Sequence, residues 1–389
     1  MQIQIPEQVR EIIQKLNQNG YEAYAVGGCV RDTLLGREPE DWDITTSALP
    51  LQVKALFRRT VDTGIQHGTV TIMVGRTGYE VTTYRIDGTY EDGRHPKEVA
   101  FTSDLLEDLR RRDFTINAMA YSEETGIVDA FDGMQDLKRR TIRCVGNAME
   151  RFTEDALRIL RAIRFSAQLD FTIEQETQEA IAVIAPNIAR VSKERIQMEL
   201  SKLLVSAHPE QIRQVYETGI SPFISEGFAA VPWRKTDIPA DLPAVKYVRW
   251  AAFLRLVRPE QAVRILKDLK LDNDTIARVR TLVGWSGREL AAEAEAVRRA
   301  MSQMEPEVWD ALVELNGYDA AIRALTAQIR AAGDCLLLKD LAVKGKDLIE
   351  AGVKPGRALG EILERMLDHV LAYPGDNQKE VLLEKFCGQ

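Results

Sequence analysis

Residues Gly27 to Thr46 read GGCVRDTLLGREPEDWDITT, and this stretch is where a fold and a chemistry first become legible. A predicted strand ends at Val26, and two glycines then let the backbone turn sharply and approach a ligand closely. A short helix is expected from about Cys29, its exposed N–H groups forming with Gly28 a cradle for phosphate. Arg31, in the first turn, adds a permanently charged fork suited to triphosphate oxygens. A double glycine alone is equally a tight strand-to-helix turn, so the weight falls on the acidic residues downstream of it. Asp41 and Asp43 come thirteen residues after Gly28 and sit two apart on a predicted strand, so both carboxylates project from one face while Trp42 points the other way. Two carboxylates on one face repel unless a cation lies between them. All-oxygen ligands suit Mg²⁺, which keeps several waters and borrows ligands from substrate phosphates. Without the glycine turn upstream the pair would read as an acid-rich exposed turn.

Outward from that stretch the first third of the chain reads as mixed structure. Tyr21–Val26, Trp42–Thr46, Thr69–Val74 and Tyr79–Tyr84 are rich in β-branched and aromatic residues and bounded by turn residues, so each predicts a strand. The last two should form a hairpin around Gly75-Arg76-Thr77-Gly78. Residues 6–19 and Val30–Leu35 read as helices. Glu80, central in its strand, offers a third carboxylate that would complete the acidic set of a two-metal site, or else is a surface residue. Residues 86–104, IDGTYEDGRHPKEVAFTSD, carry two glycines and a proline and predict a long mobile loop.

From about residue 105 the pattern turns helical almost throughout, with apolar residues at three and four spacing. The fold class is therefore α+β: a small mixed-sheet head over 1–136, followed by all-helical regions over 137–218, 219–290 and 291–389. Residues 219–245, with four prolines, form the best candidate linker. Residues 138–164 hold eight Lys or Arg against three acids, a candidate anion surface within a chain whose net charge is −8. In Glu154–Phe165, EDALRILRAIRF, the residues Ala156, Ile159, Leu160 and Ile163 gather on one side of a helix and Arg158, Arg161 and Arg164 on another. Neither Arg161 nor Arg164 has an acid one turn away, which favours an external anion over a solvated charged face. Further on, Lys246, Arg249, Arg255, Arg258, Arg264, Lys267 and Lys270 crowd around Trp250, a pattern suited to RNA phosphates with stacking support or to snorkelling cations.

Composition sets the frame. A chain of 389 residues, 45% apolar and 28% charged with both signs interspersed, is globular and long enough for two to four units. It has no run of about 18 apolar residues and no basic leader with an apolar core, so neither membrane insertion nor export is expected. Four scattered cysteines and four scattered histidines give neither a disulfide framework nor a zinc site. The expected compartment is the cytoplasm.

Four segments in series carry a resemblance: AVGGCVRDTLLGREPEDWDITT, RRDFTINAMA (Arg111–Ala120), DAFDGMQDL (Asp129–Leu137) and EDALRILRAIRF. In this order they closely resemble the motifs of class II tRNA nucleotidyltransferases, members of the polymerase-β-like superfamily that also holds bacterial poly(A) polymerases. The resemblance implies a catalytic head with helical neck, body and tail, and a tRNA 3′ end, CTP and ATP as partners with Mg²⁺ as cofactor. It implies that Arg112 touches the nucleotide, that Asp113 contacts the ribose 2′-hydroxyl, and that Asp155 and Arg158 pair with the incoming base. Arg161 and Arg164 would hold the triphosphate. An Asp acceptor beside an Arg donor matches the amino and ring-nitrogen edge shared by cytosine and adenine, and mismatches uracil and guanine. The segment with YEDGRHP resembles the loop used for the switch to ATP, which favours complete C-C-A addition. CC-adding, A-adding and poly(A)-forming activities share the head motifs. An RNA-binding protein with a retired head is the rival outside the enzyme class. Oligomeric state is not encoded in any of these motifs.

Overall fold

The computed structural model describes residues 3–88 and 99–388. The chain divides into two compact units, one spanning Met1–Arg234 with Ile265–Leu271, the other Lys235–Arg264 with Asp272–Gln389. The division at 234/235 lies inside the proline-rich stretch read as a linker. That stretch is itself structured in part, with one-turn helices at Ser221–Ile224 and Glu226–Ala229 and a fully buried Phe228.

The first unit is built on a seven-stranded sheet. Its strands are β1 (Ala23–Val26), β2 (Ile44–Thr46), β3 (Thr60–Gly64), β4 (Thr69–Val74), β5 (Thr77–Thr83), β8 (Met119–Ser122) and β9 (Gly126–Asp129), in the order β3-β4-β5-β2-β1-β8-β9. A separate antiparallel pair, β6 (Arg85–Asp87) and β7 (Val99–Phe101), lies between β5 and β8 in sequence. All neighbours in the large sheet run antiparallel except β2 and β5, which are parallel with Ile44 opposite Val81. Helices α1 (Glu7–Gln18), α2 (Gly28–Leu34), α3 (Pro50–Leu56) and α4 (Leu105–Arg110) belong to this head. Then come α5 (Gly133–Arg139), α6 (Ala148–Glu154), α7 (Leu157–Leu169), α8 (Gln175–Ile184) and α9 (Lys193–Leu204).

Period-two alternation assigns the two faces of the sheet. Ala25, Ile44, Val70, Ile72 and Val81 are buried on one face, against α1 and α3. The other face carries Val26 and Ala120, which pack with Leu105 and Leu109 of α4 and with Tyr84. Asp43, Thr45, Glu80 and Thr82 belong to this second face, because they alternate with Ile44 and Val81.

Three expectations change. The region after residue 105 is not helical throughout: β8 and β9 complete the sheet, and Arg111–Asp113 follow the end of α4. Met119–Ser122 is buried at all four positions, so its apolar run lacks the alternation that marks a strand. The β4–β5 hairpin closes more tightly than expected, with Val74 opposite Thr77 and Gly75 at φ +62°. Of the predicted 86–104 loop, the two ends are the strands β6 and β7, and Asp104 caps α4; residues 89–98 lie outside the described residues.

The second unit is helical, with helices from Lys246–Leu254 to Lys379–Cys387. Its last part is organised around Cys335, Leu341, Val343, Leu348, Met366, Val370 and Leu382.

Candidate active site

At the end of β1 the chain turns through Gly27, at φ +82°, into α2. A Cβ on Gly27 would lie 2.9 Å from Nη1 of Arg112. The backbone angle favours glycine there, while the approaching guanidinium tip could yield to a Cβ. Gly28 is the first residue of α2, and the Cys29 thiol is buried beneath the turn, near the carbonyl of Val26 at 3.4 Å. Burial, then the Asp43 charge, push that thiol up to about 11, so it stays a protonated filler and not a nucleophile.

Asp41 and Asp43 lie just before β2 instead of within it, as the sequence suggested, yet Val26 N–H donates to the Asp43 carbonyl at 3.0 Å. The parallel β2–β5 register carries Asp43 alongside Glu80 on the same face. Their mutual charge is felt: burial, then Asp43 and Asp41, raise the Glu80 carboxyl. Asp43 is exposed to solvent along part of its side chain, yet its partly desolvated carboxyl is also raised, with Arg112 opposing and Asp41 adding. Among the described residues no group of three His, Cys, Asp or Glu side chains encloses a metal position by itself. Neighbouring carboxylates whose crowding makes ionisation of Asp43 and Glu80 more costly are nevertheless a suitable donor set for a hard divalent cation that takes its other ligands from water and phosphate.

The arginines are almost all matched to acids. Arg31, 8% exposed, donates through Nη1 to Asn117 Oδ1 at 2.7 Å and forks onto Asp32 at 2.8 and 3.0 Å. Arg161 donates through Nε to Asp113 Oδ2 at 2.7 Å, and Arg164 is held by Glu199 and Gln168. The absence of local acids along α7 was thus misleading: Asp113 and Glu199 arrive from 48 and 35 residues away. Outside α7, three further cations of the basic window are paired, Arg140 with Asp170, Arg143 with Asp136 and Arg151 with Glu154, while Lys138 and Arg139 are exposed. Burial alone would raise Asp113, but Arg161 and a bond from Asn117 bring it well below the ordinary aspartate range. Its oxygens already accept from Phe114 N, Asn117 Nδ2 and Arg161.

Asp155 breaks the helix foreseen over 154–165. With φ −143° it ends α6, and its Oδ1 accepts the Leu157 N–H at 3.1 Å, starting α7. Arg158 donates to Glu154 at 2.7 Å and to the Arg111 carbonyl at 3.0 Å.

Arg112 differs from the others. Among the described residues its only charged contact is a long one, 3.5 Å to Asp108, and its buried Nε has no hydrogen-bond partner. It stands between Gly27 and the Asp43 charge, a cation with bonding capacity left for a ligand.

Asp108 escaped sequence reasoning altogether. Fully buried under the sheet, it accepts from Arg111 Nε and Nη2 at 2.9 and 2.8 Å and from Thr45 Oγ1 at 3.0 Å. Burial alone would raise it, yet Arg111, then Arg112, keep it below the ordinary range. It ties the basic cluster to the strand that comes after the acidic pair. The only signal in the sequence is an acid three and four residues ahead of two arginines.

Of the basic group around Trp250, two members are withdrawn from the surface, while Arg258, Arg264, Lys267 and Lys270 stay exposed. Trp250 is fully buried, and Arg249 is 2% exposed, its guanidinium donating to the carbonyls of Pro239, Ala240, Leu242 and Pro243.

Residues 23–143 match the family model of the poly(A) polymerase head domain, 170–231 that of the "Probable RNA and SrmB-binding site of polymerase A", and 246–386 that of tRNA nucleotidyltransferase domain 2. The chain is 40% identical to the CCA-adding enzyme of Limosilactobacillus reuteri over 97% of its own length and 96% of the relative's. The chain belongs to the CCA-adding enzymes. The CCA-adding enzyme of Levilactobacillus brevis is 41% identical over the same shares. Among solved structures, the Bacillus stearothermophilus CCA-adding enzyme in complex with CTP superposes with a TM-score of 0.82 at 34% identity, covering 98% of both chains. The Thermotoga maritima CCA-adding enzyme complexed with tRNA has a TM-score of 0.64 at 23% identity, covering 99% of this chain and 98% of that one. The class II tRNA nucleotidyltransferase resemblance read from four motifs is thus borne out along the whole chain, as is the α+β class. No helix among the described residues is long and apolar enough to cross a membrane.

Proposed function

We propose that this CCA-adding enzyme extends a tRNA ending by C, C and A, the 3′-hydroxyl attacking the α-phosphate of CTP twice and of ATP once, in line, with release of pyrophosphate. The observation that carries the site assignment is the meeting, on one sheet face, of Asp41, Asp43 and Glu80 with Arg112, whose buried Nε lacks a partner.

Asp41 and Asp43 would hold Mg²⁺, with Glu80 beside them. When bound, the divalent ion neutralises phosphate charge and makes the attacking hydroxyl more acidic. The chain's own residues position and neutralise. Gly28 and Arg31 border the triphosphate, Arg112 completes its hydrogen bonding on the nucleotide, and Arg161 and Arg164 add positive charge from α7. Asp113 meets the ribose 2′-hydroxyl by exchanging a bond now made to Arg161, freeing that guanidinium to turn toward phosphate. Asp155 accepts from the cytosine or adenine amino group and Arg158 donates to the adjacent ring nitrogen, which excludes uracil and guanine without a template. The head, neck, body and tail divisions at 136, 218 and 290 are retained as the working map. The four cysteines are free, which suits work in the reducing cytoplasm.

The test is primer extension with Mg²⁺ on three tRNA transcripts, ending at the discriminator base, after CC and after CCA, with single nucleotides and with CTP plus ATP. The expected product is C-C-A and nothing further. Extension stopping at CC, action only on the CC-ended transcript, or long A tails would each replace this reading by one of its rivals. Tight RNA binding with no extension at all would mark a retired head.

A further inference from the structure

Helix α9 carries no motif of the resemblance, yet one of its faces backs the nucleotide-facing residues of α7. Arg195 and Glu199 are four residues apart and so lie one above the other on that face. Glu199 holds Arg164 by a short bond to Nε and lies 3.9 Å from Nη1 of Arg161. Arg195 grips Asp155 by both oxygens, Nη2 to Oδ2 at 2.7 Å and Nη1 to Oδ1 at 3.3 Å. A carboxylate offers about four acceptor directions. On Asp155, Oδ1 is filled by Arg195 and by the Leu157 N–H, and Oδ2 accepts from Arg195. One direction remains, on Oδ2, matching the single N–H that an exocyclic amine turns toward its partner.

We infer that Arg195 is a specificity-determining positioning residue: by its two-point grip it fixes the orientation of Asp155, leaving one acceptor for the amino group of cytosine or adenine. This rests on the reading that Asp155 meets the incoming base. An ionised carboxylate only accepts, so a fixed Asp155 presents lone pairs to the carbonyls of uracil and guanine and rejects them. A carboxylate free to swing could turn aside, letting water bridge to those carbonyls. Arg195 itself need touch neither nucleotide nor tRNA.

The experiment compares kcat/KM for CTP against UTP, and for ATP against GTP, in the full-length enzyme and in Arg195→Ala, Arg195→Gln and Asp155→Ala. Any unfolded fraction lowers both terms of each ratio equally and cancels, so a purely structural loss leaves selectivity unchanged. Gln is shorter by two atoms and keeps a single neutral amide donor, so it cannot make the fork. Arg195→Ala should lose about tenfold in each ratio, near 1.4 kcal/mol, with Arg195→Gln losing several-fold. A wild-type ratio in whichever Arg195 variant folds, alongside a lost ratio in Asp155→Ala, overturns the role of Arg195. A wild-type ratio in Asp155→Ala overturns the base-reading assignment itself and this inference with it.

Discussion

Asp41 is where the proposed chemistry is most directly tested. It is exposed and makes no structural bond that the fold needs, so Asp41→Ala should abolish nucleotide addition while tRNA affinity, measured by filter binding, stays near that of the wild type. A variant retaining more than about a tenth of normal turnover would remove the metal-holding role. Asp108 makes the opposite case, being inaccessible and fully bonded. In Asp108→Asn, the buried ion pair with Arg111 is lost, and with it the one charged contact that Arg112 makes among the described residues, a change of up to about 3–5 kcal/mol where no rearrangement relieves it. The expected outcome is a lower melting temperature together with a KM raised about tenfold for both CTP and ATP. An effect on one nucleotide alone would count against a role in aligning the shared triphosphate-facing cations. The contrast shows what residue-level reading can reach. That Asp43 and Glu80 share one sheet face could be anticipated because strand alternation is local and visible in sequence. Glu199, Asp113 and Arg195 lie tens of residues from the charges they hold, and no spacing rule announces such partners.

At the scale of elements, legibility followed periodicity. Strand β4 coincides with the predicted Thr69–Val74, and the first helix with residues 6–19 to within a residue at each end. Strand β3 was missed because its three central residues are exposed and it carries no apolar face, and β8 because it is buried on both sides. The junction that locks β8 to α5 is unusually close. A Cβ on Gly133 would stand 2.4 Å from the Thr115 carbonyl oxygen and 3.0 Å from Met119. Here the backbone angle is ordinary and the constraint is contact alone, so Gly133→Ala should cost about 1–3 kcal/mol by overpacking, read as a lower urea midpoint. Unchanged stability would mean that α5 can retreat from the sheet without loss.

For the molecule as a whole, the depressed carboxyls set the response to acid. Asp108 and Asp113 both lie below the ordinary aspartate value of 3.8 in the folded state. Unfolded, they take up protons at that ordinary value, so the stability they contribute is complete above it and is lost as pH falls further toward their folded values. Urea midpoints should hold steady down to about pH 5 and then fall, with a shallower fall in Asp113→Asn; an equally steep fall would place the acid sensitivity elsewhere. Of the whole-molecule picture, the catalytic head was readable from motifs, whereas the helical second unit offered only amphipathic patterns, and these made a buried tryptophan and a carbonyl-bound arginine look like an RNA surface.

The balanced charges of the site also bear on how it empties. Three successive additions require pyrophosphate to depart three times from the same place. A cluster of bare guanidiniums would retain that tetra-anion and stall after the first round. Asp32, Asp113 and Glu199 hold Arg31, Arg161 and Arg164, so if those guanidiniums contact the triphosphate as proposed, the departing product meets competition for each of them. The same acids that obscured the anion site in the folded chain would thus act as its discharge mechanism, favouring repeated cycling over tight capture.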